Sequence, residues 1–229
     1  MKDRVVLITG AKGGLGSFVT RTFLDAGALV VGTSRSISEQ DFLAPNFSAY
    51  SVDFTKSADV NQMIETVANR FGKLDALVHV LGGFAGGHTV AQTDDATWEQ
   101  MRDLNLNSAF YVLRAAIPHL RKSGTGRIIA IGSLTAAEPH ASLGAYVTFK
   151  SALSMLVRTV ALENRDAGLT ANVLLPGTMD TPANRKSMPG ADYAKWLQPQ
   201  DVANLVFWLA DKYAAQITGT VIPIDGTNG

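Results

Sequence analysis

The segment Arg4 to Gly16, Arg-Val-Val-Leu-Ile-Thr-Gly-Ala-Lys-Gly-Gly-Leu-Gly, limits what this chain can become more than any other. Arg4 to Thr9 is apolar and β-branched and predicts a strand, while Phe18, Val19, Thr22, Phe23 and Ala26 recur at helical spacing beyond the loop. A glycine loop between a strand and a helix turns tightly and lets another backbone or a ligand approach closely. The helix behind it offers unpaired N–H groups and the positive end of its dipole to an anion. Gly10, Lys12, Gly14, Leu15 and Gly16 are therefore candidate contacts for a pyrophosphate. A plain strand-to-helix turn would show the same order of elements, so the rest of the chain has to decide.

Further strands are predicted at Ala28–Thr33, Phe47–Val52, Leu74–Val80, Arg127–Ile131, Leu169–Leu175 and Val221–Ile224. Helical patterns separate them. Val60, Ile64, Val67, Ala68 and Phe71 end at Gly72, and Ala96–Leu120 presents Trp98, Met101, Leu104, Phe110, Leu113 and Ile117 as core. Leu143–Asn164 carries Leu153, Leu156, Val157 and Val160, and a last helix carries Val202, Leu205, Val206, Leu209 and Ala210. Strands alternating with helices of this length predict an α/β fold, a Rossmann-type doubly wound parallel sheet of seven strands with helices on both faces. A chain of 229 residues, 46% hydrophobic and without linker or repeat, is expected to form a single domain over 1–229.

The two glycine loops, Ser133 and the turn after Leu175 all fall at the C-terminal end of a strand, where such a sheet binds its ligand. Ser34 and Arg35 follow the second strand, at the position that meets the adenosine ribose. A hydroxyl and a guanidinium suit a 2′-phosphate, whereas an acidic residue would bind the free hydroxyl, so NADP is expected over NAD, with NAD still open. Lys12 adds charge there or is simply solvated. Asp53 stands either to accept from the adenine amino group or to cap the next helix. Gly82 and Gly83 open a glycine-rich loop after the fourth strand, and Pro176, Gly177, Met179 and Thr181 form a turn suited to a carboxamide. Asn105 is a poor residue for a helix interior; it marks either a distorted turn or an exposed position. Tyr146 and Lys150 share a helix face one turn apart, where a cation beside a phenol favours phenolate, useful for proton transfer; the pair alone equally fits a chance spacing on a solvated helix. Ser133 is placed to align a substrate oxygen.

Charge and composition narrow the partners. With 20 basic and 20 acidic residues the chain has no net field to recruit nucleic acid or a membrane surface, so a small-molecule substrate is expected. The absence of cysteine removes thiolate chemistry and Cys-based metal sites. His79, His88, His119 and His140 lack ligand-like spacing, so no metal is expected. The first residues are too short for a signal segment and no apolar run is long enough to span a bilayer, which predicts a cytoplasmic protein.

Over nearly its whole length the chain resembles the short-chain dehydrogenase/reductase family. Thr9-Gly10 through Gly14 and Gly16 matches the cofactor loop, Asn105, Ser133, Tyr146 and Lys150 match the catalytic tetrad, and Pro176-Gly177 to Thr181 matches the nicotinamide turn. The resemblance implies hydride transfer between a nicotinamide and a carbonyl or alcohol. Tyr146 would be the general acid or base, Ser133 would orient the oxygen, Lys150 would hold the nicotinamide ribose and lower the tyrosine pKa, and Asn105 would support a relay water. Assembly as a homodimer or homotetramer through the two long helices is implied as well. One segment departs. His79-Val80-Leu81-Gly82 stands where most of the family has Asn-Asn-Ala-Gly. The loop Val80–Gly87 and the segment Leu175–Trp196, whose polar stretch Pro182–Trp196 reads as a lid, resemble a divergent member, dihydropteridine reductase. That makes reduction of a quinonoid dihydropterin the alternative substrate reading. A non-catalytic dinucleotide sensor is the alternative of another class.

Overall fold

Each apolar run of the sequence forms a strand, and all seven strands lie parallel in one sheet. The computed structural model describes residues 1–226. In chain order the main elements are β1 (Val5–Thr9), α1 (Gly16–Asp25), β2 (Leu29–Ser34), β3 (Phe47–Ser51), α2 (Ser57–Phe71) and β4 (Ala76–His79). They are followed by α3 (Asp95–Arg102), α4 (Ser108–Lys122), β5 (Arg127–Ile131), α5 (Gly144–Glu163), β6 (Thr170–Pro176), α6 (Pro182–Ser187), α7 (Pro199–Ala210) and β7 (Val221–Ile224). The sheet order is β3-β2-β1-β4-β5-β6-β7, so the direction of winding reverses between β1 and β4. A crevice opens at such a switch point, at the carboxyl ends of the strands.

Side chains alternate across each strand and so feed two cores. Val5 and Leu7 of β1 join the core built with α2, α4 and α5, whereas Val6 and Ile8 join the core built with α1 and α7. With helices on both faces the central strands are buried throughout, which is why their sequences read as continuous apolar runs rather than as alternating ones. The helix stops are equally local. Gly72 closes α2 at φ +71, a left-handed conformation that costs a glycine nothing.

The predicted helix at Ala96–Leu120 is in fact two helices joined by a π-helical turn, Asp103–Asn107. The wider turn shifts the angular phase of α4 relative to α3, so a single helical stripe cannot describe both parts. Trp98 and Phe110, expected in the core, are 41% and 42% exposed. The buried face of α4 is instead Ala109, Val112, Leu113, Ala116 and Leu120. Phe18 on α1, also part of a predicted apolar stripe, is exposed, and Val19, Thr20 and Phe23 face the core.

Candidate active site

Gly10 ends β1 with φ +68, and its N–H donates to the Thr33 carbonyl of β2 at 2.8 Å, turning the chain across the top of the sheet. Gly16 opens α1 with no room for a side chain: a Cβ there would lie 1.9 Å from the Gly10 carbonyl oxygen. At Gly14 a Cβ would stand 3.0 Å from the Thr181 methyl group, so the glycine loop and the turn after β6 approach each other directly. Between them lies a cavity of about 480 Å³, whose lining includes Gly10, Gly14, Ser34, Gly82, Tyr146 and Thr181. This cradle suits a dinucleotide, with bare backbone at the α1 N-terminus and hydroxyls at Ser34 and Thr181.

Lys12, Leu15, Gly16, Arg35, Gly83, Lys150 and Met179 also border this cavity. Arg35 is exposed and carries no ion pair among the described residues. Lys12 is held rather than loosely solvated: its ammonium donates to the Ser36 carbonyl at 2.5 Å and lies 3.2 Å from Asp41. Asp53 borders an adjoining recess with Arg35 and Phe54. It does not cap α2, because its carboxylate accepts from the Thr55 N–H and hydroxyl, at 3.0 and 2.7 Å, two residues before the helix begins. Pro176 and Gly177 sit behind the wall. Pro176 pairs with Ile224 at the end of β6, and a Cβ at Gly177 would meet the Asp225 carboxylate at 2.6 Å, so these two shape the turn while Met179 and Thr181 face the opening. Thr181 also caps α6 by accepting from the Asn184 N–H, and Asn184 Nδ2 donates to the Met179 carbonyl at 2.8 Å.

The floor of the cavity is made by the loop after β4, the end of β5 and α5, with the π turn packed against the loop at Gly82 and Gly83. Gly82 lies over Lys150 and Asn105: a Cβ there would come within 2.8 Å of Lys150 Nζ and 2.9 Å of Asn105 Oδ1. Asn105 is fully buried, which rejects the exposed-position reading and bears out the distorted turn. Its Oδ1 accepts from the Gly83 N–H at 3.1 Å, and its Nδ2 donates to the carbonyls of Gly83 and Met101 at 3.0 and 3.1 Å. The amide is thus occupied in holding the glycine-rich loop. Lys150 is buried, and its Nζ donates to the Ile131 carbonyl at 3.0 Å; desolvation brings its pKa down to about 8. Burial raises the phenol of Tyr146 above its ordinary value, and the Ser133 hydroxyl pulls against that. The phenol thus stands above its ordinary value rather than below it as expected, and the Lys150 ammonium donates to the Ile131 carbonyl.

Two polar partners escaped the sequence reading. Thr135 Oγ1 lies 2.9 Å from Ser133 Oγ, and the signal available was a second hydroxyl residue two positions along. His79, at the family's usual asparagine position, is buried, with Nδ1 3.0 Å from Thr9 Oγ1, while its Nε2 has no protein partner. Thr9 Oγ1 also accepts from the Leu81 N–H at 3.3 Å, so His79 and Thr9 together anchor the turn out of β4. Desolvation, and then the charge of Lys150, brings the imidazole down to about 3 and keeps it neutral. Among the described residues no cluster of three His, Asp or Glu side chains has metal-ligand geometry, and no helix is long and apolar enough to cross a membrane.

A parallel sheet wound in this order, with a glycine cradle at its switch point, defines the class of dinucleotide-binding α/β proteins. Comparison with known proteins specifies it further. A profile of the family described as short chain dehydrogenase matches residues 4–192. The chain is 32% identical over 255 residues to D-beta-hydroxybutyrate dehydrogenase from Rhizobium meliloti strain 1021, covering 97% of each. Among solved structures it is similar to ElxO with NADP bound, at a TM-score of 0.91 and 28% identity over 99% of this chain and 98% of that one. It is similar also to 3-ketoacyl-(acyl-carrier-protein) reductase from Brucella melitensis complexed with NADH, at 0.89 and 26% over 99% and 98%. The chain belongs to the short-chain dehydrogenase family, and it is an oxidoreductase of the kind that acts on hydroxyl and keto groups.

Proposed function

We propose that residues 1–229 form one domain that interconverts a carbonyl and an alcohol with NADP(H), with Tyr146 as the proton donor and acceptor. The observation that carries this reading is that Tyr146 and Lys150 both line the glycine-lined cavity, with Lys150 Nζ and the Asn105 amide packed against Gly82 and the Ser133 hydroxyl acting on the phenol. NADP, when bound, supplies and accepts the hydride. Gly10, Gly14 and Gly16 would seat its pyrophosphate, Ser34 and Arg35 its 2′-phosphate, and Met179 and Thr181 its carboxamide end. In the reducing direction the substrate oxygen accepts hydrogen bonds from Ser133 and Tyr146. As the carbonyl carbon gains a C–H bond, the phenolic proton passes to the oxygen, so the C=O becomes CH–OH and Tyr146 is left as phenolate to be reprotonated. Lys150 would hold the ribose from below.

Arg35 supports NADP over NAD, since it is exposed at the cavity and free of ion pairs among the described residues. The test combines two variants. Tyr146→Phe is expected to lower kcat/KM by about 10²–10⁴ while NADPH binds as before. Arg35→Ala is expected to weaken NADPH about tenfold and NADH little, the scale of a charge-assisted contact. Undiminished turnover by Tyr146→Phe on a panel of ketones, 3-oxoacyl thioesters and dihydropterins would reject the mechanism. A wild-type preference for NADH would reject the cofactor.

A further inference from the structure

We propose that Phe84 forms the specificity wall of this site, and that the substrate is a flat, uncharged carbonyl compound with a ring beside the reacting carbon. The inference rests on the oxidoreductase reading and deepens it. A single exposed apolar side chain means little by itself. Phe84 differs by where it stands and how it is held. It is 67% exposed, it borders the cavity, and its ring meets that of Tyr146 edge-on, with centroids 5.0 Å apart and planes at 72°.

The loop that carries it is pinned at both ends. Gly83 is bound through both its N–H and its carbonyl to the Asn105 amide, and the Gly87 N–H donates to the Ser142 carbonyl at 2.9 Å. Gly86 is closed in as well: a Cβ there would stand 2.4 Å from a Leu143 methyl and 3.2 Å from the end of the Phe84 ring. The ring is thus presented by fixed backbone beside the phenol that meets the substrate oxygen, with its remaining surface open. An open aromatic face is covered most favourably by another flat ring, stacked in an offset or edge-on arrangement.

Charge points the same way. Of the cations bordering the cavity, Lys12 is paired with Asp41, Lys150 is buried against Ile131, and Arg35 belongs to the loop after β2. Arg185 in the lid is held by Asp180 through two contacts, at 2.5 and 2.7 Å. With Arg35 taken up by the 2′-phosphate of NADP, the described residues that line this cavity offer no other unpaired lysine or arginine to meet a carboxylate or phosphate on the substrate.

The test is calorimetric binding of acetophenone and 2-butanone to the protein loaded with NADP⁺, where no reduction can occur. The wild type is expected to prefer acetophenone by about tenfold or more. That preference should fall about tenfold in Phe84→Leu and Phe84→Ala and persist in Phe84→Trp, since tenfold corresponds to about 1.4 kcal/mol, within reach of one aromatic contact. No ring preference in the wild type, or one that survives in both Phe84→Leu and Phe84→Ala, would overturn the proposal. Circular dichroism of each variant checks folding. If the preference tracks residue 84 but no ketone is turned over with NADPH, the wall stands and the reaction reading fails. If both ketones are reduced and the preference ignores residue 84, the wall falls and the reaction reading stands.

Discussion

At the scale of single residues the proposed site brings together hydroxyls, an amide and a buried imidazole whose neighbours the sequence names only in part. The roles proposed for Ser133, Tyr146 and Lys150 come from residue type, spacing and the family resemblance; the Thr135 partner could not be found that way, because it is a 2.9 Å contact that spacing alone does not show. If Thr135 donates to Ser133, the serine proton is directed at the substrate, and one hydrogen bond strengthens the next. Thr135→Val is expected to lower kcat about tenfold with little change in KM, the loss of about 1.4 kcal/mol. Thr135→Ser should restore the rate, and equal rates in the wild type and the valine variant would contradict the role. His79 gives a pH prediction. Its folded-state pKa of about 3 lies below the ordinary 6.5, so the unfolded chain takes up a proton first as pH falls. The stability contributed by neutral His79 is complete above about pH 6.5 and is lost on the way down to about 3, at up to about 1.4 kcal/mol per pH unit. Urea unfolding should show a shallower acid dependence in His79→Asn than in the wild type. Identical slopes in the two proteins would count against a neutral buried imidazole.

At the scale of elements the informative disagreement lies between Ala96 and Leu120. The apolar spacing there fits one helix, yet the π turn at Asp103–Asn107 breaks it and turns Asn105 inward. The disfavoured asparagine signalled the distortion, but the periodicity could not report the phase shift that puts Trp98 and Phe110 near solvent. The turn joins α3 to the glycine-rich loop through the Asn105 amide. Asn105→Ala strands the Gly83 N–H and carbonyl, so it is expected to cost about 1–3 kcal/mol and to speed hydrogen exchange at residues 82–87. An unchanged exchange rate there would show that the amide does not hold the loop. In contrast, β5 and β7 begin and end where the sequence placed them, because β-branched runs bounded by turn residues leave little choice of register.

For the whole molecule the sequence settles the architecture better than the surface. Alternating strands and helices, with the glycine loop after the first strand, were enough to predict a parallel sheet of seven strands with its ligand at the strand ends, whereas the strand order and the switch point between β1 and β4 are seen only in the structure. The expected assembly would draw on apolar residues that the fold leaves exposed. Phe110 on α4 and Met155 and Leu162 on α5 are exposed, on the helices expected to join subunits. Light scattering is therefore expected to give a dimer or tetramer that Met155→Glu with Leu162→Glu shifts toward monomer; a monomeric wild type would refute it. The central claim, that this fold carries hydride to a carbonyl carbon under Tyr146, has a direct measurement. The protein is supplied with a ketone and NADPH deuterated at the transferring position, and the alcohol is weighed by mass spectrometry. One deuterium on the carbinol carbon, with product formation lost in Tyr146→Phe, is the predicted result. An alcohol free of deuterium, or labelled product formed as fast by Tyr146→Phe, would contradict it.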